Sequence, residues 1–165
     1  QPSIGTAAAT DFPVPASPIM ALPVKTVEAF TKRALYNRLP LRSEVFVVEQ
    51  DCVYHDLDGK DETALHVLGI KNKTIIAYTR LFKPGFYFKQ ASIGRVVVAK
   101  SERKHKYGYD IMKASIKAVE THFKTSEIKI SAQVYLTKFY NQLGFKPIGD
   151  AYLEDGIPHV AMVKY

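Results

Sequence analysis

The run Ile93-Gly94-Arg95-Val96-Val97-Val98, followed by Arg103-Lys104-His105-Lys106-Tyr107-Gly108 and then by Met112, Ile116, Val119 and Phe123, decides the fold. Its β-branched first part favours an extended backbone, and its apolar last part recurs at helical spacing. The period therefore changes from strand to helix across one short basic turn. That turn carries Lys100, Arg103, Lys104, Lys106 and the titratable His105, with Gly108 where the backbone must turn tightly. The first amides of a helix have no partner inside the helix, and together with this charge they suit a polyphosphate. Taken alone, a basic turn reads equally well as a solvated charged loop.

A second motif lies downstream. Ser131-Ala132-Gln133-Val134 reads as a short strand and is followed by Phe139-Tyr140-Asn141-Gln142-Leu143-Gly144-Phe145. A strand, an Arg-x-x-x-x-Gly turn opening a helix, a further strand, and a Tyr four residues before Gly-Phe resemble the acetyl-CoA core of the GCN5-related N-acetyltransferases (GNAT). Three further stretches are similar to the ElaA-like branch of that superfamily: Leu41-Arg42-Ser43-Glu44-Val45-Phe46-Val47-Val48-Glu49-Gln50, Asp56-Leu57-Asp58-Gly59, and Glu154-Asp155-Gly156-Ile157-Pro158-His159. One departure stands out. The family's phosphate turn reads Arg or Gln-x-x-Gly-x-Gly or Ala, and Lys106 occupies the place of its central Gly. Lysine adopts ordinary helical dihedrals, so the turn is expected to form with Lys106 already in the first turn of the helix.

The resemblance implies an α+β fold: a mixed, mostly antiparallel central sheet of GNAT type with helices on both faces. The order of elements agrees with it. A strand over 24–30 leads to a helix over 32–38 capped by Thr31, and Pro40 opens a second helical piece over 41–48. An acidic loop over 51–62 precedes strands over 64–71 and 74–82, joined at Asn72-Lys73 as a hairpin. After a turn over 83–90 come a strand over 91–98, a helix over 107–123, a strand over 127–133, a short helix over 137–143, and strands over 146–153 and 159–164.

Composition sets the outer bounds. The chain has 165 residues, 47% of them hydrophobic, enough for one domain, expected over 20–165. Residues 1–19, rich in Pro, Ala, Ser and Thr, read as a disordered tail. The first 24 residues hold no Lys or Arg, unlike a signal peptide. No stretch approaches the roughly 18 apolar residues of a membrane span. The net charge of +7 favours anionic partners, yet no groove-reading or base-stacking motif accompanies it, so nucleic acid is an unfavoured partner. A single cysteine, Cys52, excludes an intramolecular disulfide and favours a cytoplasmic location. The Asp56, Asp58, Asp61 and Glu62 cluster lacks calcium-loop spacing, and no metal site is expected. A homodimer is left open.

The resemblance also assigns roles. The expected activity is transfer of an acetyl group from acetyl-CoA to a small-molecule or peptide primary amine by direct attack. The alternative is a non-catalytic acyl-CoA-binding or basic nucleic-acid-binding module. The backbone of Val96, Val97 and Val98 is expected along the pantetheine arm, with an amide near Val98 meeting the thioester oxygen. Arg103, Lys104, His105, Lys106, Tyr107, Gly108 and Tyr109 fall around the phosphates, and Gln133, Phe139 and Asn141 flank the cofactor. Tyr140 matches the family's general acid, a phenol suited to protonating a thiolate. Candidate bases are Glu49, His66 and His159, because His titrates near neutrality and a partly buried Glu is raised toward it; a water relay is the other route. Phe46, Gln50, His66 and Asp155 are placed on the acceptor side.

Overall fold

Residues 21–25, 41–42 and 59–165 are described by a computed structural model. The expected tail over 1–19, the strand residues 26–30, the helix over 32–38, residues 43–48 of the next helix, and Phe46, Glu49, Gln50, Cys52, Asp56 and Asp58 lie outside these residues.

Among the described residues, seven strands form one sheet in the order β1-β2-β3-β4-β5-β7-β6. They are β1 (Val24–Lys25), β2 (Leu65–Lys71), β3 (Thr74–Phe82), β4 (Ala91–Val98), β5 (Ile128–Gln133), β6 (Lys146–Glu154) and β7 (Ile157–Lys164). Among these strands the β4–β5 pair is parallel, and the other five pairs of described strands are antiparallel. A parallel pair needs a long crossover, and helix α1 (Tyr107–Phe123) provides it. A short helix, α2 (Thr137–Gln142), leads from β5 toward β6.

Alternation along the strands divides the core between the two faces. Val67, Ile76, Leu81 and Ile93 pack with Tyr107, Ile111, Met112 and Val119 of α1 and with Tyr140 of α2. Leu68, Ile75, Tyr78 and Val97 pack on the opposite face with Leu41, which lies in helical backbone. The period-two and period-3.6 patterns thus meet on one face and leave the other for the helical turn at 41–42.

Two hairpins follow from backbone chemistry. Asn72 and Lys73 both have positive φ, 49° and 64°, the two-residue geometry whose twist matches the flanking strands. Asp155 and Gly156 repeat it at 51° and 77°. Glu154 therefore pairs with Ile157, so β6 runs one residue beyond the expected 146–153 and β7 starts two residues before the expected 159.

Candidate active site

Neighbouring strands that part company leave backbone groups wanting partners. The β4–β5 ladder consists of Ala91 with Ile128 and Ser92 with Lys129. Beyond it the strands diverge, and Ile93–Val98 on one side and Ile130, Ser131 and Gln133 on the other line a cavity of about 520 Å³. The β3–β4 register shifts between Tyr78 and Arg80, opposite Arg95, whose φ is 51°. An extra residue of this kind bends a strand and raises its twist, which turns β4 away from β5.

The basic turn follows β4 as a 3₁₀ segment, Lys100–His105. Two contacts fix it. Arg103 Nε donates to the Val98 carbonyl at 3.1 Å, and Lys71 Nζ donates to Glu102 Oε1 at 2.6 Å. The lysine's hydrogen bond and charge hold the Glu102 carboxyl below its usual range, and the same bond raises the Lys71 ammonium above its own. Lys106 corrects an expectation. It is not in the first turn of α1 but immediately before it, at φ 60° and ψ 27°. This is the left-handed region that favours glycine, the residue type the family places there. No side chain caps the first amides of α1, so the helix presents them beside Arg103, Lys106 and Gly108, all of which line the cavity.

Tyr140 is held by aromatic packing. Tyr109 and Phe139 have ring centroids 4.7 Å apart, Phe139 meets Tyr140 at 5.0 Å nearly edge-on, and Tyr140 meets Phe145 at 6.0 Å. Tyr109 OH bonds to Gln142 Oε1, tying α1 to α2. Gly144, at φ 94°, ends α2 in a conformation costly to other residues, and Phe145 N then reaches the Tyr140 carbonyl at 3.1 Å. This explains the spacing from Tyr140 to Gly144-Phe145. Tyr140 lines the cavity, and burial first, then Tyr135, raise its phenol above the usual range. It stays protonated throughout the neutral range.

The opposite wall comes from β5, β6 and β7. Glu154, Asp155 and His159 line it. His159 Nδ1 donates to the Ile157 carbonyl at 2.7 Å, and its Nε2 lies 3.4 Å from Glu154 Oε2. Ser131 Oγ donates to Glu154 Oε1 at 3.1 Å and lies 2.5 Å from Tyr152 OH.

Of the residues expected from sequence, Val96, Val97, Val98, Tyr109, Gln133 and Phe139 also line this cavity. Others are elsewhere. Tyr107 is buried in the core, with Lys71 Nζ 5.7 Å from its ring centre. Lys104, His105 and Asn141 are exposed and are not among the lining residues. His66 is wholly buried and also apart from the lining. Its Nε2 donates to the Asp61 carbonyl at 2.9 Å and its Nδ1 accepts from Tyr78 OH at 2.5 Å. Asp61 in turn pairs with the buried Arg42 and Arg80, each at 3.0 Å. Sequence reasoning passed over Arg95, Ser131, Tyr135 and Glu154, which line the cavity; all but Tyr135 stand inside stretches already singled out. Among the described residues, no group of three His, Cys, Asp or Glu could hold a metal ion, and no helix is long and apolar enough to cross a membrane.

Comparison with known proteins agrees with this geometry. The acetyltransferase (GNAT) domain family matches residues 26–165. The protein ElaA of Escherichia coli is 40% identical over 132 residues, covering 79% of this chain and 86% of that protein. Its crystal structure superposes with a TM-score of 0.83 at 35% identity, over 89% of this chain and 100% of ElaA. An acyl-CoA N-acyltransferase from Pseudomonas aeruginosa superposes equally well, TM-score 0.83 at 34% identity, over 88% of this chain and 99% of that one.

Proposed function

The chain belongs to the GNAT acetyltransferases, on their ElaA-like branch, and from this premise we propose that it moves an acetyl group from acetyl-CoA to a primary amine by direct attack. One observation carries the reading: one cavity lined by Arg95 of β4 and by Arg103 and Lys106 of the basic turn, by Glu154, Asp155 and His159 at the β6–β7 hairpin, and by Tyr140. Cations on one wall suit the phosphates of the donor, and carboxylates on the other suit a cationic amine.

The residues present fit coenzyme A. Its phosphates would lie against Arg103, Lys106 and the first amides of α1, where a helix start favours anions. Its amide-bearing arm would lie along the edge of β4 that parts from β5 beyond Ser92, as one more strand does at an open edge. When bound it supplies the activated acetyl thioester. A backbone amide near Val98 would face the thioester oxygen and stabilise the charge that develops there.

The proton balance then falls to side chains. The amine, having given its ammonium proton to solvent, forms a bond from its nitrogen to the carbonyl carbon, and the carbon–sulfur bond breaks. Tyr140, kept protonated by its burial, gives its proton to the sulfur and recovers one from solvent; acid catalysis of this kind contributes roughly 10²–10⁴-fold. His159 Nε2 takes the proton that nitrogen loses, because Nδ1 is already committed to the Ile157 carbonyl. No covalent bond to the protein is required.

Thiol release with acetyl-CoA, followed across a panel of primary amines and paired with mass analysis of the amine, tests this reading. Stoichiometric thiol and acetylated amine are expected. Coenzyme A binding with no thiol release from any amine, even in a single turnover, would assign the cavity to acyl-CoA binding alone.

A further inference from the structure

Two hydroxyls meet in the core between the sheet and α1. Thr79 of β3 and Ser115 of α1 are both wholly buried, and their side-chain oxygens lie 2.6 Å apart. The direction of this hydrogen bond is settled by a third atom. Ser115 Oγ donates to the Ile111 carbonyl at 2.7 Å, and a hydroxyl has one hydrogen to give. Thr79 Oγ1 is therefore the donor, and Ser115 the acceptor, between the two side chains. A buried hydroxyl without a partner is costly, so Thr79 depends on Ser115, while Ser115 has Ile111 in either case.

The place of Thr79 in the sheet gives the pair its interest. Tyr78 pairs with Val97 and Arg80 with Gly94, so Thr79 alone stands across from two residues of β4, Arg95 and Val96. It is the β3 side of the bulge that turns β4 away from β5. Ser115 lies on α1 about 12 Å along the axis from Tyr107, on the helix whose first amides stand beside Arg103 and Lys106. Neither hydroxyl residue lines the cavity.

We propose that the Thr79–Ser115 hydrogen bond is a positioning contact for the donor: it fixes the distance from the β4 bulge to the start of α1, so that one coenzyme A molecule engages both at once. The inference rests on the coenzyme A reading above and adds the residues that set the reach between the donor's two ends. Along the chain, β4 and α1 are joined only by the 3₁₀ segment Lys100–His105 and the left-handed Lys106, which leaves their spacing to packing. Apolar packing is non-directional, whereas a hydrogen bond holds both a distance and an angle. A ligand gripped at both ends gains from the second grip only where the spacing of the grips matches its own.

Thr79→Val keeps the shape, removes the bond and leaves no orphaned hydroxyl. ADP serves as the partial ligand, since it carries the pyrophosphate without the pantetheine arm. Calorimetry on the whole chain measures coenzyme A and ADP with wild type, Thr79→Val and Thr79→Ser. Thr79→Val should lower coenzyme A affinity by roughly 10-fold, the scale of one net hydrogen bond, and change ADP affinity by less than about 2-fold. Thr79→Ser, which keeps the hydroxyl, should restore coenzyme A. Amide exchange reads the same contact without ligand: residues 93–98 and the first turn of α1 should exchange faster in Thr79→Val, with β6 and β7 as in wild type. Unchanged coenzyme A affinity, equal losses on both ligands, or unchanged exchange over residues 93–98 would overturn the proposal and leave the pair as packing. A wild-type protein that binds coenzyme A no tighter than ADP would instead remove the arm from the cavity and sink the donor reading itself.

Discussion

Lys71 Nζ lies 2.6 Å from Glu102 Oε1, joining the last residue of β2 to the basic turn after β4. The pair crosses from one hairpin to the next and fixes the turn whose far end carries Arg103 and Lys106. Replacing Lys71 with Met should leave the fold intact, because partly exposed ion pairs contribute little to stability. It should weaken coenzyme A binding several-fold by releasing the turn. Calorimetry beside a thermal melt separates the two effects.

The same pair sets a pH window. Glu102 is lowered in the folded state, so its contribution is present above the ordinary carboxylate value and fades as pH falls through the lowered one. Lys71 is raised, so its contribution is present below the ordinary lysine value and fades as pH rises through the raised one. Melting temperatures of wild type and Lys71→Met should therefore differ by a constant amount across the neutral range and converge in acid and in strong alkali. A difference that peaks inside the neutral range would point to another group.

Lys106 stands in left-handed backbone, at a cost of roughly 1–2 kcal/mol for a residue with a Cβ. Lys106→Gly relieves that cost and gives part of it back through the freer unfolded chain. Its melting temperature should match or exceed that of wild type. Lys106→Glu keeps the strain and reverses the charge, so it should lose more coenzyme A affinity than Lys106→Gly, and Arg103→Glu should behave likewise. Equal affinity in all three variants would remove the turn from the donor site.

Much of this arrangement was legible from residues whose local chemistry allows one answer. The Asn72-Lys73 hairpin, the strand-to-helix change from Val98 to Met112 and the Gly144 stop each follow from a backbone preference. What the sequence hid depends on pairing at a distance. Nothing in the Ile93–Val98 run announces that β4 leaves β5 after Ser92, or that Arg95 adopts positive φ. His66 carries a base's chemistry, yet Tyr78 and Asp61 consume both of its nitrogens from other segments. Glu154 opens the Glu154–His159 stretch, but only the two-residue turn at Asp155-Gly156 folds it back beside His159 and against Ser131 of β5. Lys106 departs from the expected helical backbone for a related reason. A lysine gives no sign of left-handed backbone, and the family's glycine at that place was the better guide.

Tyr140 carries the central claim. Its phenol is buried, raised above the usual range, and held between Phe139 and Phe145, so Tyr140→Phe removes the proton donor and keeps the packing. Steady-state kinetics on an acetylated amine, with coenzyme A affinity measured beside them, is the direct test. Turnover should fall by on the order of 10–10³-fold with affinity and melting temperature unchanged, the lower figure applying where water protonates the thiolate instead. Wild-type turnover in Tyr140→Phe would contradict the account and reduce the residue to packing.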